Sequence, residues 1–445
     1  MHEPRQPAPS TVPALGDAAN VKRRPFLRRA VPALLLPALA AGLQPADAAP
    51  VPEEPATVTP GHDDTATPFT INVPQPVLDD LQARLARTRW PDEVDGAGWA
   101  YGANREYLQA LADRWQHGYD WRAEEAKLNR FAQFTAAVDG MDLHFVHIQG
   151  KGPNPMPLLL LHGWPDCFYR FHKIIPLLTD PASHGGRAED AFTVVVPDIP
   201  GFGFSARPTK PGCGPVVIAG LFARLMRDVL GYDRYVAHAG DYGATILEQM
   251  ALLHPEGIAA IHLTSLPPQH NAKLDLATLN DVERSYLRSV AAWDQAEGGY
   301  AHMHSSKPQT LSYGLNDSPA GLLGWITEKF HSWVDPQVSL KQVITRDELL
   351  TNVTIYWVTQ TISSSVRIYY EKAHHPAPEP SYVSVPTGFA MFGNDLVPPP
   401  RSLVTRFFDV RSWTEEPDGG HFAALEVPGV LAARLREFFS LYRGS

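Results

Sequence analysis

Val236-Ala237-His238-Ala239-Gly240-Asp241-Tyr242-Gly243-Ala244 decides how the rest of the chain is read. The apolar residues up to Ala239 read as a strand, and Asp241 opens a helix. Ala239 and Gly243, both small, stand two before and two after Asp241. A sharp strand-to-helix turn needs such flanks to avoid clashes, and it lifts its central side chain above the edge of a sheet. A serine at that centre would be a nucleophile. Here the centre is Asp, and no Gly-x-Ser-x-Gly occurs elsewhere. A carboxylate nucleophile attacks an electrophilic carbon and becomes an ester, which water must then cleave. On this window alone the plainer role of such an Asp, capping the following helix, stays open.

Outward from this turn, short apolar runs at Leu143–Ile148, Leu158–Leu161, Val194–Val196, Tyr235–Ala239 and Ile258–Leu263 alternate with helical segments. One such helix carries Leu221, Phe222, Leu225, Met226, Val229 and Leu230, spaced for one buried face. Strands alternating with helices predict an α/β fold with a mainly parallel sheet covered on both sides. The rhythm stops between about Leu266 and Pro386, in a long aromatic and helical insertion. It resumes at Thr387–Met391 and Val410–Trp413 and closes with an amphipathic helix carrying Leu431, Leu435, Phe438, Phe439 and Tyr442. Toward the N-terminus the pattern differs. Val77, Leu78, Leu81 and Leu85 share a helical face, and further helix is predicted over Tyr107–His117 and Glu124–Phe134. This stretch reads as a separate N-terminal element.

Composition narrows the function. With 445 residues, 44% hydrophobic and 19% charged, the chain is neither collagenous, nor a disordered acidic tail, nor a disulfide-built mini-protein. The formal charge is −10, and no basic stripe runs through the body, which argues against nucleic acid as a partner. The two cysteines, Cys167 and Cys213, allow at most one bridge and match no metal-ligand spacing. The first 48 residues are of another kind. Lys22-Arg23-Arg24-Pro25-Phe26-Leu27-Arg28, an apolar run from Ala30 to Leu43 and Ala46-Asp47-Ala48 have the order of a cleavable signal, similar to the bacterial twin-arginine type. The apolar run, about 14 residues, is short of the roughly 20 that a membrane span requires. The expectation is export to the periplasm or medium, with a mature chain from near Ala49 and a flexible leader over 49–67.

Two further windows bear on Asp241. Leu158–Leu161 runs into His162-Gly163-Trp164-Pro165, where backbone amides, beside that of Tyr242, could stabilise an oxyanion. Near the C-terminus Gly419-Gly420-His421-Phe422 places a histidine on a loop between a strand and the last helix, suited to general-base work. Asp241, an acid after a late strand, then His421 is the nucleophile–acid–histidine order of α/β-hydrolases. The candidate acid is Asp395 in Phe392-Gly393-Asn394-Asp395; Asp409 and Asp418 compete with it on position.

With these motifs in place the chain resembles the microsomal-type epoxide hydrolases, over roughly Pro68 to Tyr442. Arg87-Thr88-Arg89-Trp90-Pro91-Asp92 is similar to the family's N-terminal meander, and His162-Gly163-Trp164-Pro165 to its oxyanion loop. Asp241, Asp395 and His421 fall on the family's nucleophile, acid and base. Gly299-Tyr300-Ala301-His302 and Ser364-Ser365-Val366-Arg367-Ile368-Tyr369 look like the lid segments that carry its two ring-opening tyrosines, Tyr300 and Tyr369. Tyr370 adjoins Tyr369 and competes for the second place. Two phenols suit the chemistry, since an opening epoxide develops alkoxide character that a phenol can protonate.

The sequence also departs from the family, with Tyr242 for the usual Trp, His238-Ala239 for Gln-Gly, Asp166-Cys167 for a Gly-Ser type pair, and Gly393 for Pro. The resemblance implies an α/β-hydrolase core over 143–266 and 386–445, a meander over 68–142 and a lid over 267–385. It implies hydrolysis of a small hydrophobic epoxide with water and with no metal or organic cofactor. The oxyanion would rest on the amides of Trp164 and Tyr242. No stable membrane span is expected, and a homodimer is left open. The rival readings are a haloalkane dehalogenase or other α/β-hydrolase, and a non-catalytic exported binding protein on the same fold.

Overall fold

In the computed structural model the described residues are 65–377 and 381–444; the expected signal and nearly all of the leader lie outside them. The strands are β1 (Thr67–Phe69), β2 (Gln133–Val138), β3 (Met141–Ile148), β4 (Met156–Leu161), β5 (Phe192–Pro197), β6 (Tyr235–Ala239), β7 (Ile258–Leu263), β8 (Val383–Phe392) and β9 (Phe408–Glu416). They form one nine-stranded sheet in the order β1-β2-β3-β5-β4-β6-β7-β8-β9. From β5 to β9 every pairing is parallel, while β1, β2, β3 and β5 pair antiparallel. Leu158–Leu161 and Val194–Val196 are wholly buried, because both faces of the central strands are covered.

Three helices lie between β1 and β2, α1 (Gln75–Leu85), α2 (Arg105–His117) and α3 (Trp121–Leu128). α4 (Ile174–Thr179), α5 (Pro215–Arg224) and α6 (Asp241–Leu253) link the central strands. Between β7 and β8 lie α7 (Asp281–Glu297), α8 (Gly299–Ser306), α9 (Pro308–Asp317), α10 (Pro319–Trp333), α11 (Leu340–Val343), α12 (Arg346–Thr359) and α13 (Ile362–His374). α14 (Arg401–Val404), α15 (Ala423–Glu426) and α16 (Pro428–Ser440) complete the chain. The insertion is helical, as its pattern predicts. Among the described residues no helix is long and apolar enough to cross a membrane.

The N-terminal stretch departs from expectation in two ways. The helix predicted to Phe134 stops at Leu128, because Asn129 closes a pair of hydrogen bonds with Ile71 (2.9 and 2.8 Å) and turns the chain. Residues from Gln133 then form β2, joined to β3 through Asp139-Gly140, both at positive φ (50° and 75°). Asp-Gly between apolar strands is a hairpin signal that the helical periodicity obscured. Nor is the stretch separate. β1 and β2 extend the common sheet, and α2 docks on the lid through Trp115 Nε1, which donates to Thr354 (2.9 Å), and through Arg114 paired with Asp347 (2.8 Å).

The strand order positions the site. β4 is flanked by β5 on one side and β6 on the other, so the chain reverses its direction of travel across the sheet there. In open α/β sheets the crevice at such a switch point, beyond the carboxyl ends of the strands, is where ligands bind. Leu161 and Ala239, the last residues of β4 and β6, are register partners. The loops that leave them therefore start side by side.

Candidate active site

Asp241 opens α6 at the turn from β6 with φ 51°, a left-handed conformation that costs a non-glycine residue about 1–2 kcal/mol. Packing around it enforces the turn. A Cβ on Gly243 would lie 2.6 Å from the carbonyl oxygens of Leu161 and His162, and one on Gly163 would lie 2.1 Å from Asp241 Oδ1. The small flank at 243 is thus required by the approach of the β4 loop. The capping role falls away: Gly240 is the N-cap of α6, and no side chain caps that helix.

The β4 loop delivers its amide to the carboxylate. Trp164 N–H donates to Asp241 Oδ1 (2.8 Å), and the Tyr242 amide also favours the charged form. The N-terminus of α6 adds the positive end of a helix dipole. Burial pushes the Asp241 carboxyl up, but neighbouring His421 and the two amides together hold it below the usual carboxylate range. Asp241 is therefore an anion aimed at the lid.

His421 approaches from the β9–α15 loop. Its Nε2 lies 3.3 Å from Asp241 Oδ2, and its Nδ1 hydrogen-bonds Asp395 Oδ1 at 2.8 Å. Of the competing acids, Asp409 is engaged with Arg411 on β9, and only Asp395 meets the histidine. Burial alone would lower the imidazole, yet the charges of Asp395 and Asp241 raise it to about 10. His421 is thus an imidazolium between two carboxylates, with no hydrogen bond on Nε2.

The lid places Tyr300 of α8 and Tyr369 of α13 over this group. Their rings meet edge to face with centroids 6.0 Å apart, and Tyr300 stacks on Trp164 at 5.4 Å. Burial, with the charge of Asp241 in support, pushes both phenols above the ordinary tyrosine range, so both stay protonated. Tyr370 instead stacks on His374 at 3.8 Å and lines no part of the cavity. That cavity, about 320 Å³, is bounded by Asp241, Asp395, His421, Tyr300 and Tyr369 together with apolar side chains. Wider surface grooves of about 790 and 730 Å³ touch none of these five.

Several supporting residues carried no sequence signal. Arg170, in the turn after β4, is buried, pairs with buried Asp166 and donates from Nη2 to the His421 carbonyl at 2.5 Å. Glu426 accepts from the amides of Gly420 (3.0 Å) and Phe422 (2.8 Å), clamping the histidine loop on both sides. His304 wedges against Trp164, Tyr300 and Tyr369, and burial lowers it to about 3, leaving a neutral wall. His238 points away into the core, where it meets His262 (3.1 Å between Nδ1 atoms). Cys167 and Cys213 are free thiols, and no metal-binding cluster occurs among the described residues.

The Arg170–Asp166 pair gives a first expected result. Arg170→Met leaves Asp166 buried without its cation, which costs about 3–5 kcal/mol of stability. Arg170→Met with Asp166→Asn recovers most of that loss in denaturant unfolding but not the carbonyl anchor on His421. In the double variant ester hydrolysis slows more than alkylation in single-turnover kinetics. Equal slowing of both steps would leave Arg170 a purely structural role.

Comparison with known proteins agrees with this arrangement. Residues 66–171 match the epoxide hydrolase N-terminal family, and residues 156–308 match the alpha/beta hydrolase fold. A protein of Stigmatella aurantiaca, whose name assigns it provisionally to the epoxide hydrolases, is 42% identical over 378 residues, 85% of each chain. Epoxide hydrolase 1 of Sus scrofa is 35% identical over 407 residues, 85% of this chain and 89% of its own. Among solved structures, the juvenile hormone epoxide hydrolase of Bombyx mori matches with a TM-score of 0.74 at 31% identity, covering 86% of this chain and 95% of its own. The Aspergillus niger epoxide hydrolase does so with 0.74 at 30%, covering 86% and 97%. The carboxylate elbow, the histidine loop and the meander joined to the sheet are thus found in a chain that belongs to the microsomal-type epoxide hydrolases, a cofactor-independent family with an epoxide hydrolase N-terminal segment and an α/β-hydrolase domain.

Proposed function

We propose that this epoxide hydrolase makes a vicinal diol through an alkyl ester on Asp241. The observation that carries the reading is the division of labour at the carboxylate. Oδ1 is tied to the Trp164 amide, while Oδ2 faces His421 at the floor of a cavity roofed by two phenols. Oδ2 attacks a ring carbon, the carbon–oxygen bond breaks, and Tyr300 or Tyr369 gives its proton to the leaving alkoxide. With Asp241 esterified, His421 returns its Nε2 proton to the phenolate and then takes a proton from water, whose oxygen adds to the ester carbonyl carbon. The oxyanion that forms rests on the amides of Trp164 and Tyr242, and collapse releases the diol. Apolar walls at Leu266, Val290, Trp293 and Val397 suit a small hydrophobic epoxide.

The same nucleophile would serve a dehalogenase, which needs indole or amide donors for the departing halide. The unpartnered indole N–H groups of Trp164 and Trp333 do not line the cavity. Although Trp293 and Asn271 do, the groups that share the cavity with Asp241 and His421 on the lid side include the paired phenols of Tyr300 and Tyr369, which suit an alkoxide. Racemic styrene oxide, 1-chlorobutane and p-nitrophenyl acetate separate the readings. Diol from the first, without comparable chloride or nitrophenol release, is the expected outcome. Faster chloride release would overturn it.

We further propose export, on the strength of Arg23-Arg24, the short apolar run and Ala46-Asp47-Ala48. Exported protein begins near Ala49, and the pair Arg23→Lys and Arg24→Lys traps precursor inside the cell. An uncut N-terminus on active exported protein would refute this.

A further inference from the structure

Lys372 stands on the wall of the cavity, and the mechanism leaves it without work. It stands one turn after Tyr369 on α13, so both side chains project from the same face of that helix. Its Nζ lies over the ring of Tyr242, 5.7 Å from the centroid, and that ring is 5.8 Å from the ring of Tyr369. Tyr242 is itself locked to α13, its hydroxyl donating to the Ile368 carbonyl at 2.8 Å. The ammonium is therefore held beside the ring-opening phenols.

No anion neutralises it there. Among the described residues Lys372 has neither an ion pair nor a hydrogen bond. The charged groups that face it from α6 are Asp241, committed to Trp164 and His421, and Glu248, committed to His270 and Gln269. From α7, Asp294 lines the cavity but is exposed, and on α13 Glu371 turns to His375 and the Gly212 amide. Burial draws the amine down to about 8, with Glu248 and Asp241 opposing, so it is still mostly protonated at neutral pH. A second donor shares the same wall. Thr245, one turn along α6 from Asp241, is buried with a hydroxyl that has no partner. Unpaired polar groups in an apolar cavity are costly unless a ligand satisfies them.

We propose that Lys372, assisted by Thr245, is a specificity determinant that selects epoxides carrying a carboxylate a few bonds from the ring. The reading rests on Asp241 and the two tyrosines as the reacting centre. With the epoxide oxygen held by Tyr369, the ammonium one helical turn away meets an anion a few bonds along the substrate. A hydrogen bond to a charged group contributes roughly ten- to hundredfold in kcat/KM.

The test uses ω-epoxyalkanoates with one to four methylenes between ring and carboxylate, each beside its methyl ester, with styrene oxide as a neutral reference. The wild-type enzyme prefers acid to ester by at least about tenfold at one or more spacer lengths. In Lys372→Met the acid-to-ester ratio falls toward one, and in Lys372→Arg part of it survives. Ester turnover by the same preparation reports whether the variant is folded. A wild-type ratio at or below one at every spacer, or a ratio that persists in Lys372→Met, would overturn the assignment of Lys372. Failure of wild type on styrene oxide and all the esters would instead overturn the reading of the reacting centre.

Discussion

His421→Gln, mixed in excess with an epoxide, accumulates a covalent adduct weighing enzyme plus epoxide, located on the peptide that carries Asp241. The geometry says why the reaction halts at that point. Alkylation consumes the Asp241 carboxylate, and its amide contacts with Trp164 and Tyr242 pass to the ester carbonyl without further help. Hydrolysis of the ester needs a base, and glutamine supplies none. Loss of a positioned base typically costs on the order of 10²–10⁴-fold. In wild type the timing is set electrostatically. Asp395 and Asp241 together raise His421 to about 10, so before alkylation the ring is charged and cannot act as a base. Esterification removes one of the two supporting charges, so the imidazolium gives its Nε2 proton back to the phenolate left by ring opening, and the neutral Nε2 can then take a proton from water.

Isotope labelling checks the same point independently. A single turnover with excess wild-type enzyme in ¹⁸O-water gives largely unlabelled diol and leaves the label in Asp241. Asp241→Ala gives neither adduct nor diol, and Asp395→Ala slows hydrolysis more than alkylation. Label in the first-turnover diol, together with no adduct in His421→Gln, would demand direct attack by water and refute Asp241 as nucleophile.

The second large effect lies in the lid. Tyr300→Phe and Tyr369→Phe each slow alkylation, and the double variant nearly abolishes it. Each substitution removes a hydroxyl and keeps the ring, so the stack of Tyr300 on Trp164 and the edge contacts with His304 persist and the lid stays folded. What is lost is the proton for the alkoxide. Because burial keeps both phenols protonated, either can supply it, which is why one variant retains residual rate and the double does not. Tyr370→Phe, whose ring stacks on His374 outside the cavity, leaves the alkylation rate close to wild type. Unchanged single-turnover rates in the double variant would mean that other groups protonate the ring oxygen.

Much of this arrangement is legible in the sequence. The elbow at Asp241 follows from local sterics, since only small residues fit a tight strand-to-helix turn, and the requirement shows in Gly243. The central strands follow from unbroken apolar runs such as Leu158–Leu161, which sheet strands covered on both faces require. The N-terminal stretch was harder. Helical periodicity ran on through residues 129–134, where the chain turns because Asn129 pairs with Ile71, 58 positions away. That contact leaves no local trace, although the Asp139-Gly140 hairpin signal next to it does.

The sequence by itself determined the chemistry on offer: an aspartate at an elbow, a histidine on a Gly-Gly loop, late acids and lid tyrosines, in the nucleophile–acid–histidine order of a hydrolase that works through an ester on a carboxylate. These are properties of residue type and short spacing, and a chain carries them without folding. Only the tertiary structure decided which acid serves His421, choosing Asp395 because the β8 loop brings it to 2.8 Å while Asp409 points to Arg411. It chose Tyr369 over Tyr370 by the phase of α13, a rotation of one residue that separates the cavity from the surface. It also brought forward Arg170, Glu426 and Lys372, which belong to no motif. Their roles arise from burial and from contacts between segments far apart in the chain, and a buried charge declares its purpose only when its partners, or the lack of them, are in place.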